Sequence, residues 1–172
     1  GDHSLAAESY NGLGQLYHMW AKATSDPGEA AALWAKAEAT LQAALAQRRT
    51  RPLSAELAQS LAALGALRLD CDAAARCGGP KPTSEAISIS EAISEAISLL
   101  LEAISLYSLS LGPFHPRLGY ALSCLARAYA MSGRGGGGVP GRGGDGTADG
   151  VADCLADGAH HTHRLAVLHR LA

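Results

Sequence analysis

Apolar residues recur along this chain at spacings of three and four, in long runs separated by short clusters of proline, glycine and serine. That period belongs to helices that bury one face, and the clusters mark where each helix stops. The first run predicts a helix from about Ser4 to Thr24, with Ser4 as its cap and Glu8 near the first turn. Leu5, Tyr10, Leu13, Leu16, Tyr17 and Trp20 form its apolar stripe. Ser25-Asp26-Pro27-Gly28 breaks the chain, and a second helix is expected from Glu29 to about Arg49. Leu33, Ala37, Leu41, Ala44 and Leu45 share one face of it, while Arg48, Arg49 and Arg51 suit the negative end of its dipole.

After Pro52, Ser54 is placed to cap a third helix over about Ala55 to Arg76, which carries Leu57, Leu61, Leu64, Leu67 and Leu69. Gly78-Gly79-Pro80-Lys81-Pro82 ends it. A fourth helix is expected from about Ser84 to Leu111. Within it Glu-Ala-Ile-Ser occurs at 85–88, 91–94, 95–98 and 102–105, which reads as a tolerated expansion of an amphipathic helix. Ile93, Ile97, Leu100, Leu101 and Ile104 supply its apolar face. Gly112-Pro113-Phe114-His115-Pro116 forms a turn before a fifth helix over about Arg117 to Met131. Residues 133–150 hold ten glycines and Pro140, too little apolar surface to offset the entropy of ordering, so a mobile loop is expected there. A weaker last helix is expected within 151–172. The domain reading is therefore a helical body over 4–132, a glycine-rich loop over 133–150 and a short final helix.

Composition narrows this picture without redirecting it. Alanine and leucine dominate the apolar content and aromatics are scarce, which suits close-packed helices over strands. The net charge of −2 favours neither nucleic acid nor an anionic membrane as partner. No apolar run is read as approaching the roughly 18 residues of a membrane span, and no signal peptide opens the chain. A cytoplasmic location is expected. Cys71, Cys77, Cys124 and Cys154 match no zinc spacing and read as reduced thiols, with a Cys71–Cys77 bridge left open. The chain opens without Met and stops at Leu171-Ala172 where a helix would continue, so a fragment truncated at both ends is expected.

Internal similarity is the informative signal. Tyr10-x2-Leu13-Gly14-x2-Tyr17 aligns with Leu61-x2-Leu64-Gly65-x2-Arg68 and with Leu122-x2-Leu125-Ala126-x2-Tyr129. The intervening helices carry Ala37-x3-Leu41-x2-Ala44-Leu45, Ala96-x3-Leu100-x2-Ala103-Ile104 and, weakly, Ala159-x3-His163-x2-Ala166-Val167. Small residues at fixed places let helix backbones approach, and the Leu and aromatic positions fill the gaps between hairpins.

These two series resemble the tetratricopeptide repeat. The stretch Leu111-Gly112-Pro113-Phe114-His115-Pro116 with Leu122-x2-Leu125-Ala126-x2-Tyr129 looks like the longer repeats of kinesin light chains and nephrocystin-type proteins. The resemblance implies an all-α fold of antiparallel helical hairpins stacked as a short right-handed superhelix, about two and a half repeats long. It departs from the plain repeat in spacing, since Leu13, Leu64 and Leu125 lie 51 and 61 residues apart, and in Arg68, which stands where an aromatic is usual. It further implies a concave groove lined by Glu8, Asn11, Gln15 and His18 of the first helix. Gln59, Ala62, Ala66 and Leu69 of the third and Tyr120, Ser123, Arg127 and Ala130 of the fifth complete it.

The implied function is a non-catalytic scaffold that holds a peptide or partner protein in that groove, with no cofactor. Two other readings compete: the C-terminal helical domain of a SET-and-MYND-type lysine methyltransferase, suggested by His115-Pro116-x2-Gly119, and a structural spacer within a large assembly. Several residues are set aside. The cluster His160, His161, His163 and His169 lacks a metal-site frame, and His115 has no nucleophile or carboxylate spaced to join it. Arg134 and Arg142 are too few, and too closely opposed by Asp145 and Asp149, for an RNA-binding tract.

Overall fold

The computed structural model describes residues 2–50, 53–76 and 89–133, with side chains from residue 5 in the first stretch and from 91 in the last. Five helices and no strand occur among the described residues: α1 (Asp2–Ala23), α2 (Pro27–Arg48), α3 (Ala55–Arg76), α4 (Ile89–Ser110) and α5 (Pro116–Gly133). The glycine-rich stretch 134–150, the segment 151–172 with its histidines, and Cys77 lie outside the described residues.

Local chemistry explains the boundaries. Asp26 is the N-cap of α2: its carboxylate accepts from the Gly28 and Glu29 amides at 3.2 and 3.1 Å, and Pro27 occupies the first turn, where no amide is required. Ser54 accepts from the Leu57 amide at 3.0 Å at the start of α3. Gly112, with φ +86°, closes α4 in the left-handed region that glycine enters without strain. At the next helix the His115 ring Nδ1 accepts from the Arg117 amide at 3.2 Å, so this histidine acts as a local cap.

A three-residue link folds α2 back on α1, and helix pairs α3–α4 and α4–α5 also pack directly, so each helix touches chiefly its sequence neighbours. The core is built from the Leu and Ala positions of α2, α3 and α4, together with Leu118, Ala121, Leu125 and Ala128 of α5. Two close approaches recur. A Cβ on Gly14 would lie 2.6 Å from Leu41 Cγ, and one on Gly65 would lie 2.9 Å from Leu100 Cγ. Gly14 and Gly65 are matched positions of the internal alignment, as are Leu41 and Leu100. The sequence similarity therefore corresponds to one repeated helix–helix contact.

Two expectations need correction. Most of the apolar stripe assigned to α1 does not face the core: Tyr17 packs against it, but Leu5, Tyr10, Leu13, Leu16 and Trp20 are exposed, whereas Ala7, Asn11, Gly14 and Ala21 are buried. Close approach to α2 at Gly14 leaves room for small side chains only, and that turns the bulky ones outward. Arg48 stands in the last turn of α2, where its charge suits the helix dipole. It is buried, and its guanidinium donates to Glu56 O at 2.7 Å and Ser60 Oγ at 2.8 Å. The second concerns α4, where Glu91–Ser110 has a mean hydropathy of 1.5 and the length of a membrane span. Half of that stretch is buried inside the structure.

Candidate functional groove

Helices α1, α3 and α5 each present one face to a cavity of about 670 Å³. Gln15 and His18 come from α1, Gln59 and Ala62 from α3, and Tyr120, Ser123 and Arg127 from α5. The structure thus brings seven of the expected groove residues to one depression. Asn11 and Ala66 are placed elsewhere, inside the helix packing. Asn11 points toward α3, and its Oδ1 accepts from Ser60 Oγ at 2.9 Å, which satisfies a buried amide that would otherwise be costly. Ala66 is covered because α3 is the most enclosed helix, and Leu69 is fully buried for the same reason. Glu8 and Ala130 are exposed outside the cavity lining.

Four polar or charged residues of the lining were not anticipated: Lys22, Asp70, Arg117 and Tyr107. Asp70 organises the floor. Its Oδ2 lies 2.9 Å from His18 Nε2 and 2.9 Å from Lys22 Nζ, and its Oδ1 lies 2.8 Å from Arg127 Nη1. One carboxylate therefore meets basic groups from α1 and from α5. Burial alone would raise its pKa; the hydrogen bonds from His18 and Lys22 and the charge of Arg127 outweigh it and take the pKa down to about 2. His18 is oriented further by Trp34, whose ring centroid is 5.4 Å away.

Three further basic residues line the cavity, Lys22, Arg117 and Arg127, and all three are exposed. Asp70 is the one carboxylate among the described residues that line the cavity. At the α5 wall, burial raises the Tyr120 pKa to about 12, with Cys124 adding to the effect. Ser123 Oγ donates to Tyr120 O at 2.7 Å.

Cys124 is a buried free thiol beside Tyr120; outside the cavity, burial pushes the Cys71 thiol well above its usual range. No group of three or more potential metal ligands occurs among the described residues.

On the opposite side of α3, Arg68 bonds Glu95 of α4 and reaches Glu38 of α2 at 3.2 Å. The residue that departs from the aromatic pattern is thus an ionic tie between three helices. A scan against family models, a search of curated proteins and a search of solved structures each returned no match to this chain.

Proposed function

We propose that this chain is a non-catalytic, tetratricopeptide-like interaction module that holds a carboxylate-bearing peptide of a partner protein in the groove between α1, α3 and α5. The observation that carries the reading is the convergence of Lys22, Arg117 and Arg127 on one cavity, where Asp70, the one carboxylate among the described lining residues, is bonded to Lys22 and Arg127. A ligand carboxylate entering there meets exposed donors, while the exposed side chains of Met19 and Tyr120 give a peptide stem something to cover. The cavity volume suits a few side chains of an extended segment. The matched Gly14–Leu41 and Gly65–Leu100 approaches support the repeat reading, because they place the two helices of each pair in the same relation.

The test is a fluorescence-polarisation titration of the chain with glutamate-rich peptides and with the same peptides carrying glutamine. Preference for the acidic series, weakening with added salt and lost in Arg117→Glu while the helical spectrum persists, is the expected result. Equal affinity for both series removes the charge-based reading of the groove.

A further inference from the structure

The groove does not stop at the Asp70 junction. Lys22 and Asp70 also line a second cavity, of about 430 Å³, so the two cavities meet at one ion pair. Helix register explains why they are continuous. On α1 the lining passes from Gln15, His18 and Lys22 in the groove to Ala21, Lys22 and Thr24 in the second cavity. On α3 it passes from Gln59 and Asp70 to Ala73 and Ala74. Both helices therefore leave the groove and enter the second cavity about one turn further on.

The chemistry changes across that ion pair. Lys22 is the one basic residue among the described residues that line the second cavity. Its floor is made by the buried side chains of Ala21, Ala30 and Trp34, and Ala73 and Ala74 form a wall. Polar groups at the rim are already engaged. Thr24 Oγ1 donates to Glu29 Oε2 at 2.6 Å, and the Asp26 carboxylate accepts from the Gly28 and Glu29 amides. Asp70 is held by His18, Lys22 and Arg127. A ligand carboxylate placed here meets Asp26 and Asp70, and a ligand cation must compete with partners that both already hold. An apolar side chain gives up no hydrogen bond by entering, and it covers Trp34, Ala73 and Ala74.

With an acidic peptide in the groove, the reading on which this rests, we infer that the second cavity is a specificity pocket for the same peptide. It takes one large apolar side chain, two or three residues along from the carboxylate that the basic groups hold. Length sets that spacing. Asp70 and the Ala73–Ala74 wall are about one turn apart, roughly 5 Å along α3, and extended chain advances about 3.3 Å per residue. The pocket thereby turns a general preference for acidic segments into recognition of a carboxylate and an apolar group at fixed separation, with the Lys22–Asp70 pair between them.

The test is a polarisation titration with acetylated acidic peptides that carry leucine one to five residues from a glutamate, on either side, against matched alanine peptides. Leucine two or three residues away on one side is expected to tighten binding about tenfold. Ala73→Phe, which fills the cavity from its own exposed wall, removes that gain and keeps both the glutamate preference and the helical spectrum. In a Trp20→Phe chain, where Trp34 is the remaining tryptophan, the leucine peptide shifts the emission and the alanine peptide does not. Equal affinity of the two series at every spacing overturns the pocket. So does a gain that survives Ala73→Phe, or lysine binding more tightly than leucine at that position. Any of these with glutamate preference intact leaves the groove reading standing. Loss of glutamate preference in the alanine series sinks the groove reading, and the pocket with it.

Discussion

Arg127 Nη1 of α5 lies 2.8 Å from Asp70 Oδ1 of α3, and this ion pair closes the floor of the groove between two helices that otherwise touch little. On its other oxygen the same carboxylate receives His18 and Lys22 of α1. The pairing holds the groove's basic groups in place before any ligand arrives, so less side-chain entropy is lost on binding.

Asp70 makes acid stability a readable quantity. Its pKa is about 2 in the folded chain against 3.8 for the unperturbed group, so the unfolded chain binds the extra proton as pH falls between them. The contribution is fully present above the unfolded value and is lost as pH drops through 4 toward 2. A shift of that size corresponds to about 2 kcal/mol at neutral pH. Urea denaturation followed from pH 7 to pH 2 is expected to show Asp70→Asn less stable at pH 7 by about that amount, with a flatter acid limb. A parallel pair of pH profiles sinks the assignment.

Gly65→Ala is expected to destabilise the chain even though alanine is the better helix former. Its Cβ meets Leu100 Cγ at 2.9 Å, and Leu100 is fully buried, so relief requires moving a packed side chain. Overpacking costs about 1–3 kcal/mol, against about 1 kcal/mol gained from helix propensity. Gly119→Ala, on the open side of α5 with nothing near its Cβ, is expected to stabilise by about 0.5–1 kcal/mol. Thermal denaturation of the two variants moves Tm in opposite directions if packing decides the outcome.

The buried polar chain Asn11–Ser60–Arg48 joins α1, α3 and α2. Ser60→Ala strands Asn11 Oδ1 and removes one acceptor from Arg48, at a cost of about 1–3 kcal/mol. Arg48→Met in the same background is expected to add less than it costs alone, because the two residues share one network. Additive effects in a denaturant double-mutant cycle would show that the bonds are not coupled.

Much of this architecture was legible in the residues. The Ala55–Arg76 helix, its Ser54 cap and the Leu faces of α2, α3 and α4 follow from period and punctuation alone. The outer face of α1 did not, because size was taken as the mark of the core, whereas contact with α2 at Gly14 selects small residues. Seven of the twelve positions that the resemblance implied line the cavity. Asp70 was missed because Leu69, ten residues after Gln59, was placed in the lining; eleven residues make three full turns, so Asp70 shares the face of Gln59. Lys22, one turn after His18, and Arg117, one turn before Tyr120, were open to the same reasoning. Arg48 and Arg68 were beyond it, since a buried arginine depends on acceptors that come from other helices.

The Asp70 junction also sets how the molecule comes apart. Helices that touch chiefly their neighbours in sequence lose structure from the ends inward, each opening at its own free energy. A carboxylate shared by α1, α3 and α5 ties the first and last described helices to the middle, so fraying of either one breaks bonds on α3. Amide exchange in α1 and α5 is thereby drawn toward the rate of the centre, and the array opens as one unit where neighbour contacts alone would let it unzip.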